Sequence, residues 1–146
     1  MALRDHHGRT DLRRAALKRL NDAKALLRAG KPHARGAAYL AGYAIECKLK
    51  AIAMEVFGCW TLEQLARRLR VTERDVYTHG LEALLRALPL YATLRRSQLW
   101  RSDFAGRVNQ WRVSRRYDPH DADLEWARSF LEAAERVYNW LEANRA

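Results

Sequence analysis

Apolar residues recur every three or four positions along most of this chain, the spacing that lines one face of an α-helix. Over residues 12–29 the apolar positions are Leu12, Ala16, Leu20, Ala23 and Leu27, with Arg13, Arg14, Lys18 and Arg28 between them. This predicts an amphipathic helix. Thr10 and Asp11 are placed to cap its start, and Gly30 followed by Lys31 and Pro32 ends it and opens the next. That next helix, over 33–57, carries Ala37, Ala41, Ala44, Ile45, Leu49, Ile52 and Val56. Its many small residues would let neighbouring helices approach closely, so it reads as the central, most buried element. Glu46 and Lys50 lie one turn apart on it and can pair, which lowers the cost of placing either beside a core.

Gly58 breaks the pattern, and Thr61 with Gln64 has the form of a capping box that starts a short helix reaching about Arg70. One or two short helical pieces are expected over 72–87, interrupted near Thr78, His79 and Gly80 and stopped by Pro89. A longer helix is predicted over 91–113 with Leu94, Leu99, Phe104, Val108 and Trp111 inward, and Asp118 with Pro119 ends it. The last helix, 121–143, has Leu124, Ala127, Phe130, Leu131, Ala134, Val137, Tyr138 and Leu141 at core spacing. Nowhere do apolar and polar residues alternate as a strand requires. The expected fold class is therefore all-α, an antiparallel helical bundle of four to five main helices with short additional helices. It forms one domain over 1–146, with residues 1–10 frayed.

Composition supports this and narrows the function. The chain is 49% hydrophobic and 30% charged with seven Gly and three Pro, a mixture that excludes disorder and turn-rich β architectures. Its two cysteines, Cys47 and Cys59, lack close Cys or His neighbours, so neither a disulfide framework nor a structural metal is expected. Cys47 reads as a small buried hydrophobe. The opening residues lack an apolar signal core, and the uncharged run at 37–45 is too short for a bilayer, so a cytoplasmic location without membrane contact is expected. The formal net charge is +10, and 22 of the 27 basic residues are Arg. A guanidinium matches phosphate oxygens two at a time and stacks on bases, which fits a nucleotide or nucleic-acid partner. The plainer reading is a basic surface that serves solubility.

Three stretches together resemble the HEPN family of helical nucleotide- and RNA-binding domains. The first is the run from Ala37 through Glu46, Leu49 and Lys50 to Ile52; the second is Thr78, His79, Gly80 and Leu81 with Leu84 and Leu85 behind; the third is Val108, Asn109, Gln110 and Trp111, then Ser114, Arg115, Arg116, Tyr117, Asp118 and Pro119. The resemblance spans most of the chain. It implies a homodimer acting on RNA or a nucleotide. Family members that are ribonucleases carry an Arg followed four to six residues later by a His, and two copies meet at the dimer interface in one metal-independent site.

Arg115 and His120 satisfy that spacing as Arg-x4-His, so the resemblance implies them as catalytic residues of a toxin-type endoribonuclease that needs no cofactor. Arg112, Arg116 and Tyr117 would contact phosphate or base, and Glu46, Lys50 and Asn109 would organise the site from behind. The chemistry is coherent: a guanidinium can steady the scissile phosphate, and an imidazole titrating near neutrality can move the proton of the 2′-hydroxyl or leaving group. The plain readings stand beside it. His120 also fits a solvated residue in the first turn of the last helix, fixed by Pro119, and Tyr117 and Trp111 fit core or interface positions. His79 fits a helix start, and His6 and His7 a frayed terminus.

Two other classes remain open. The same fold without catalysis would be a nucleotide-binding module partnering a nucleotidyltransferase, or an interaction protein such as an antitoxin. Residues 61–77 also resemble a helix-turn-helix DNA reader, with Ala66 at the crossing, Val71 in the turn and Val76 on the second helix. Glu73 and Asp75 on that second helix would oppose a polyanion.

Overall fold

The computed structural model describes residues 8–70, 81–110 and 123–144, and among them every regular element is helical. Three long helices, α1 (Arg9–Arg28), α2 (Ala34–Val56) and α6 (Leu124–Ala143), form the bundle. Three short ones, α3 (Leu62–Leu69), α4 (Leu81–Arg86) and α5 (Leu90–Arg96), close it. A π-helical turn at Trp100–Ala105 and 3-10 turns at Lys31–His33 and Val108–Gln110 complete the order. The only β-type pairing among the described residues is an isolated antiparallel bridge between Gly8 and Thr61. This is the all-α bundle expected from the periodicity.

α2 is the hub. Its strongest packing is against α1 and then α6, and every residue from Ala44 to Met54 is buried. Alanines at 34, 37, 38, 41, 44, 51 and 53 keep its surface thin, so helices close in on several sides. α1 delivers Leu12, Ala16, Leu20 and Ala23 to this core, and α6 delivers Ala127, Phe130, Leu131, Ala134, Val137 and Leu141, the positions their sequence spacing singled out. Lys24 on α1 and Glu135 on α6 pair across the bundle at 2.8 Å. The α1–α2 corner turns at Gly30, whose φ of 103° suits a residue without a Cβ.

Two expectations need correction. Residues 8–10 belong to the folded body: the Gly8–Thr61 bridge and the Arg9 N–H donated to the Trp60 carbonyl at 3.3 Å hold the chain before the helix begins. Gly8 is therefore the N-cap, and Thr10 and Asp11 fall inside the first turn. Arg9 strengthens the junction by donating to the carbonyls of Cys59 (2.7 and 3.1 Å) and Met54 (3.0 Å).

The single helix predicted over 91–113 is instead broken into α5, the π turn and a 3-10 turn. Ser97 is extended, and its hydroxyl donates to the Leu94 carbonyl at 2.7 Å, ending α5. On a straight helix, at about 100° per residue, Leu99 would stand about 140° from both Leu94 and Phe104. The break brings both to full burial, together with Val108, while Leu99 is only half-buried. Trp111 and the remainder of that prediction lie outside the described residues.

Candidate functional site

The structure divides the sequence-derived site into two groups. Arg112, Arg115, Arg116, Tyr117 and His120 lie outside the described residues, as does His79. Glu46, Lys50 and Asn109 are described: the first two pair with each other on α2, and Asn109 bonds Glu82. The helix-turn-helix reading is divided in the same way. α3 is its first helix, and Arg70, which ends α3, adopts the left-handed conformation (φ 59°, ψ 40°) that favours glycine, while residues 71–77 lie outside the described set.

Glu46 and Lys50 sit on α2 as its periodicity placed them, with side chains only 3% and 6% exposed. Lys50 Nζ lies 3.4 Å from Glu46 Oε1, a distance that gives charge pairing but leaves this buried oxygen without a hydrogen-bond donor among the described residues. Burial pushes the Glu46 carboxyl above its ordinary range, and the Lys50 charge pulls it only part of the way back. One turn earlier, burial pushes the Tyr43 phenol up to about 12, with Cys47 and Glu46 adding to the rise. The Cys47 thiol is pushed up to about 11 by burial and Glu46, against smaller opposing effects from Lys50, Tyr43 and Arg19. Burial thus favours the neutral forms of Tyr43, Glu46 and Cys47. Tyr43 and Cys47 keep their protons at neutral pH, and neither is poised as a nucleophile.

Asn109 is held elsewhere. Its Nδ2 donates to Glu82 Oε2 at 3.1 Å, and Arg86 donates to the other oxygen of the same carboxylate at 3.1 Å. The side chain therefore ties the 3-10 turn to α4. Sequence reasoning passed over Glu82, because an acid in the first turn of a short helix is ordinary by pattern alone.

A second feature missed by the sequence reading lies beside the segment 111–122 that precedes α6. Gly106 and Arg107, before it, and Trp126 and Phe130, after it, line a small surface cleft. Trp126 stacks on Phe130 with ring centroids 5.5 Å apart and is 38% exposed, while Phe130 is buried. The available signal was Trp126's place on α6: its neighbours Leu124 and Ala127 were assigned inward, which left an indole off the core face with no packing role.

The stretch of chain that leads to Arg107 is cationic. From Arg86 to Arg107 five arginines, at 86, 95, 96, 101 and 107, are exposed, and the one acid in that stretch is Asp103, which is buried. Arg136 on α6 takes both Asp103 oxygens, at 2.9 and 2.7 Å. The local acid is thus neutralised inside while the arginines face water. Arg95 also lies over the rings of Tyr91 and Trp100, at 5.7 and 5.9 Å. Guanidinium groups alternating with aromatic rings suit a polyanion that carries bases.

Among the described residues, no three His, Cys, Asp or Glu side chains come together as metal ligands, and no helix is long and apolar enough to cross a membrane. Comparison with known proteins returns no matching family model, curated protein or solved structure.

Proposed function

We propose that this chain acts on RNA as a HEPN-like homodimer, with its working surface at the segment between Gln110 and Asp123. The finer reading is a metal-independent, toxin-type endoribonuclease. Arg115 steadies the scissile phosphate, His120 moves the proton of the ribose hydroxyl or leaving group, and Arg112, Arg116 and Tyr117 hold the neighbouring phosphate or base. Glu46 and Lys50 contribute from the central helix as buried neighbours one turn apart, and Asn109 fixes the turn that leads into residues 111–122.

The observation that supports this reading is the cleft of Arg107, Trp126 and Phe130, formed by residues on both sides of the Arg-x4-His segment, with Arg107 itself exposed. An exposed indole beside a guanidinium offers a base a stacking surface and its phosphate a counter-charge. A pure solubility role for the charge does not call for the ring.

Equilibrium binding of a labelled single-stranded RNA tests the surface. Arg107→Glu is expected to weaken binding and flatten its salt dependence by about one unit of slope, and Trp126→Ala is expected to weaken it about fivefold or more. Binding unchanged in both variants removes this surface from the account. Salt-sensitive RNA retention by a wild type that cleaves nothing would instead leave the binding module that partners a nucleotidyltransferase.

A further inference from the structure

We infer that Trp60 and the arginines around it form a second, preassembled platform that stacks a base of a single-stranded polynucleotide. This goes beyond the surface at the segment before α6, because it stands on α1, the α2–α3 connection and α3. Trp60 is 63% exposed, more than Leu17 at 50% or Trp126 at 38%. Leaving so much indole in water has a cost that the fold does not recover through packing.

The backbone that carries the ring is nevertheless fixed. The Trp60 backbone N–H donates to Gln64 Oε1 at 2.7 Å, its carbonyl accepts from the Arg9 N–H, and the next residue, Thr61, is bridged to Gly8. The Arg9 guanidinium lies 4.1 Å from the ring centroid. That guanidinium is in turn immobilised by its bonds to the Cys59 and Met54 carbonyls. One side of the indole is backed by a cation that cannot swing away, and more than half of the residue remains in solvent. A base that stacks here meets a surface whose ordering has already been completed.

The charge on the elements that carry the ring selects the kind of partner. On α3, Arg68 is exposed and lies 5.5 Å from the Phe57 ring, Arg70 at its end is exposed, and Arg67 is only loosely paired with Glu63 at 3.5 Å. Arg13, one turn after Arg9 on α1, pairs with Glu55. With Arg9, these five arginines outnumber the two glutamates that pair with them. An acidic peptide would satisfy the cations but has no use for an open indole face. A single-stranded polynucleotide supplies phosphates and flat bases together.

The test uses fluorescence anisotropy on the full chain with three labelled oligomers of about twelve units: oligo(U), oligo(dT) and an abasic deoxyribose-phosphate strand. Trp60→Ala is expected to weaken binding of oligo(U) and oligo(dT) roughly 5- to 100-fold while leaving the abasic strand and the salt dependence unchanged. Trp60→Phe, which keeps a ring, retains most of the affinity and guards against a folding artefact. A preference between oligo(U) and oligo(dT) that vanishes in Trp60→Ala assigns the platform to RNA or to DNA. Wild type that binds all three oligomers equally, or Trp60→Ala that binds oligo(U) as wild type does, overturns the platform. An Arg115→Glu and Arg116→Glu double variant separates the two surfaces: if it loses RNA action while Trp60-dependent binding persists, the platform stands independently of the segment before α6.

Discussion

Arg136 on α6 grips Asp103 on the π-helical turn with two prongs of its guanidinium, at 2.9 and 2.7 Å, and the carboxylate is buried while the arginine stays half exposed. The pair fastens the irregular stretch after α5 to the last helix. The π turn can bring an acid inward because a partner waits there. The Arg136 guanidinium is held above its ordinary value chiefly by the hydrogen bonds to Asp103.

Removing only the arginine would strand a buried carboxylate. Arg136→Ala is expected to lower stability by about 1–3 kcal/mol, the usual cost of an unsatisfied buried polar group. Adding Asp103→Asn to that variant should recover part of the loss, since the stranded group then carries no charge. Urea unfolding of the two single variants and the double one measures this directly. Strictly additive losses would show that the pair does not join the π turn to α6.

Lys48 is 2% exposed on α2, its ammonium paired with Glu142 and 4.9 Å from the Tyr138 ring centroid. Because Glu142 is itself half exposed, the long methylene stem carries more of the stabilisation than the charge. Lys48→Met is therefore expected to change stability by less than about 1.5 kcal/mol, whereas Lys48→Ala, which leaves a hole between α2 and α6, costs about 2–4 kcal/mol. Thermal melts of both variants distinguish packing from charge. Equal losses would assign the effect to the ion pair.

Glu46 gives a pH signature. Its carboxyl is raised above the ordinary 4.5 by burial, so the folded state holds its proton at pH values where the unfolded chain has released it. The sign follows: this residue's contribution to stability is full below pH 4.5 and declines as the pH rises from there through the folded-state value. Glu46→Gln, which cannot ionise, is expected to remove that decline. Denaturation midpoints from pH 4 upward, compared between wild type and Glu46→Gln, check it, and parallel profiles would contradict it.

How far the sequence could be read depended on whether a residue's partner was local. The long helices were legible because Leu12, Leu20, Ile45, Leu49, Phe130 and Leu141 repeat at helical spacing, and the Glu46–Lys50 pair was legible because both partners lie on one helix a turn apart. The break at Ser97 was not legible. The π turn that follows it packs against α6, a constraint set by another helix rather than by the segment itself. The bonds Arg9 makes to Met54 and Cys59, and Asn109 makes to Glu82, span 45, 50 and 27 residues, separations at which no local pattern points. For the same reason the Trp126 cleft and the Arg9–Trp60 stack became visible only in three dimensions.

The central claim, action on RNA through Arg115 and His120, is tested most directly by incubating the purified protein with structured and single-stranded RNA in EDTA and following strand scission. Wild type is expected to cleave without metal, and Arg115→Ala and His120→Ala each to lose at least about a hundredfold in rate while remaining folded. Cleavage by both variants at the wild-type rate would contradict it.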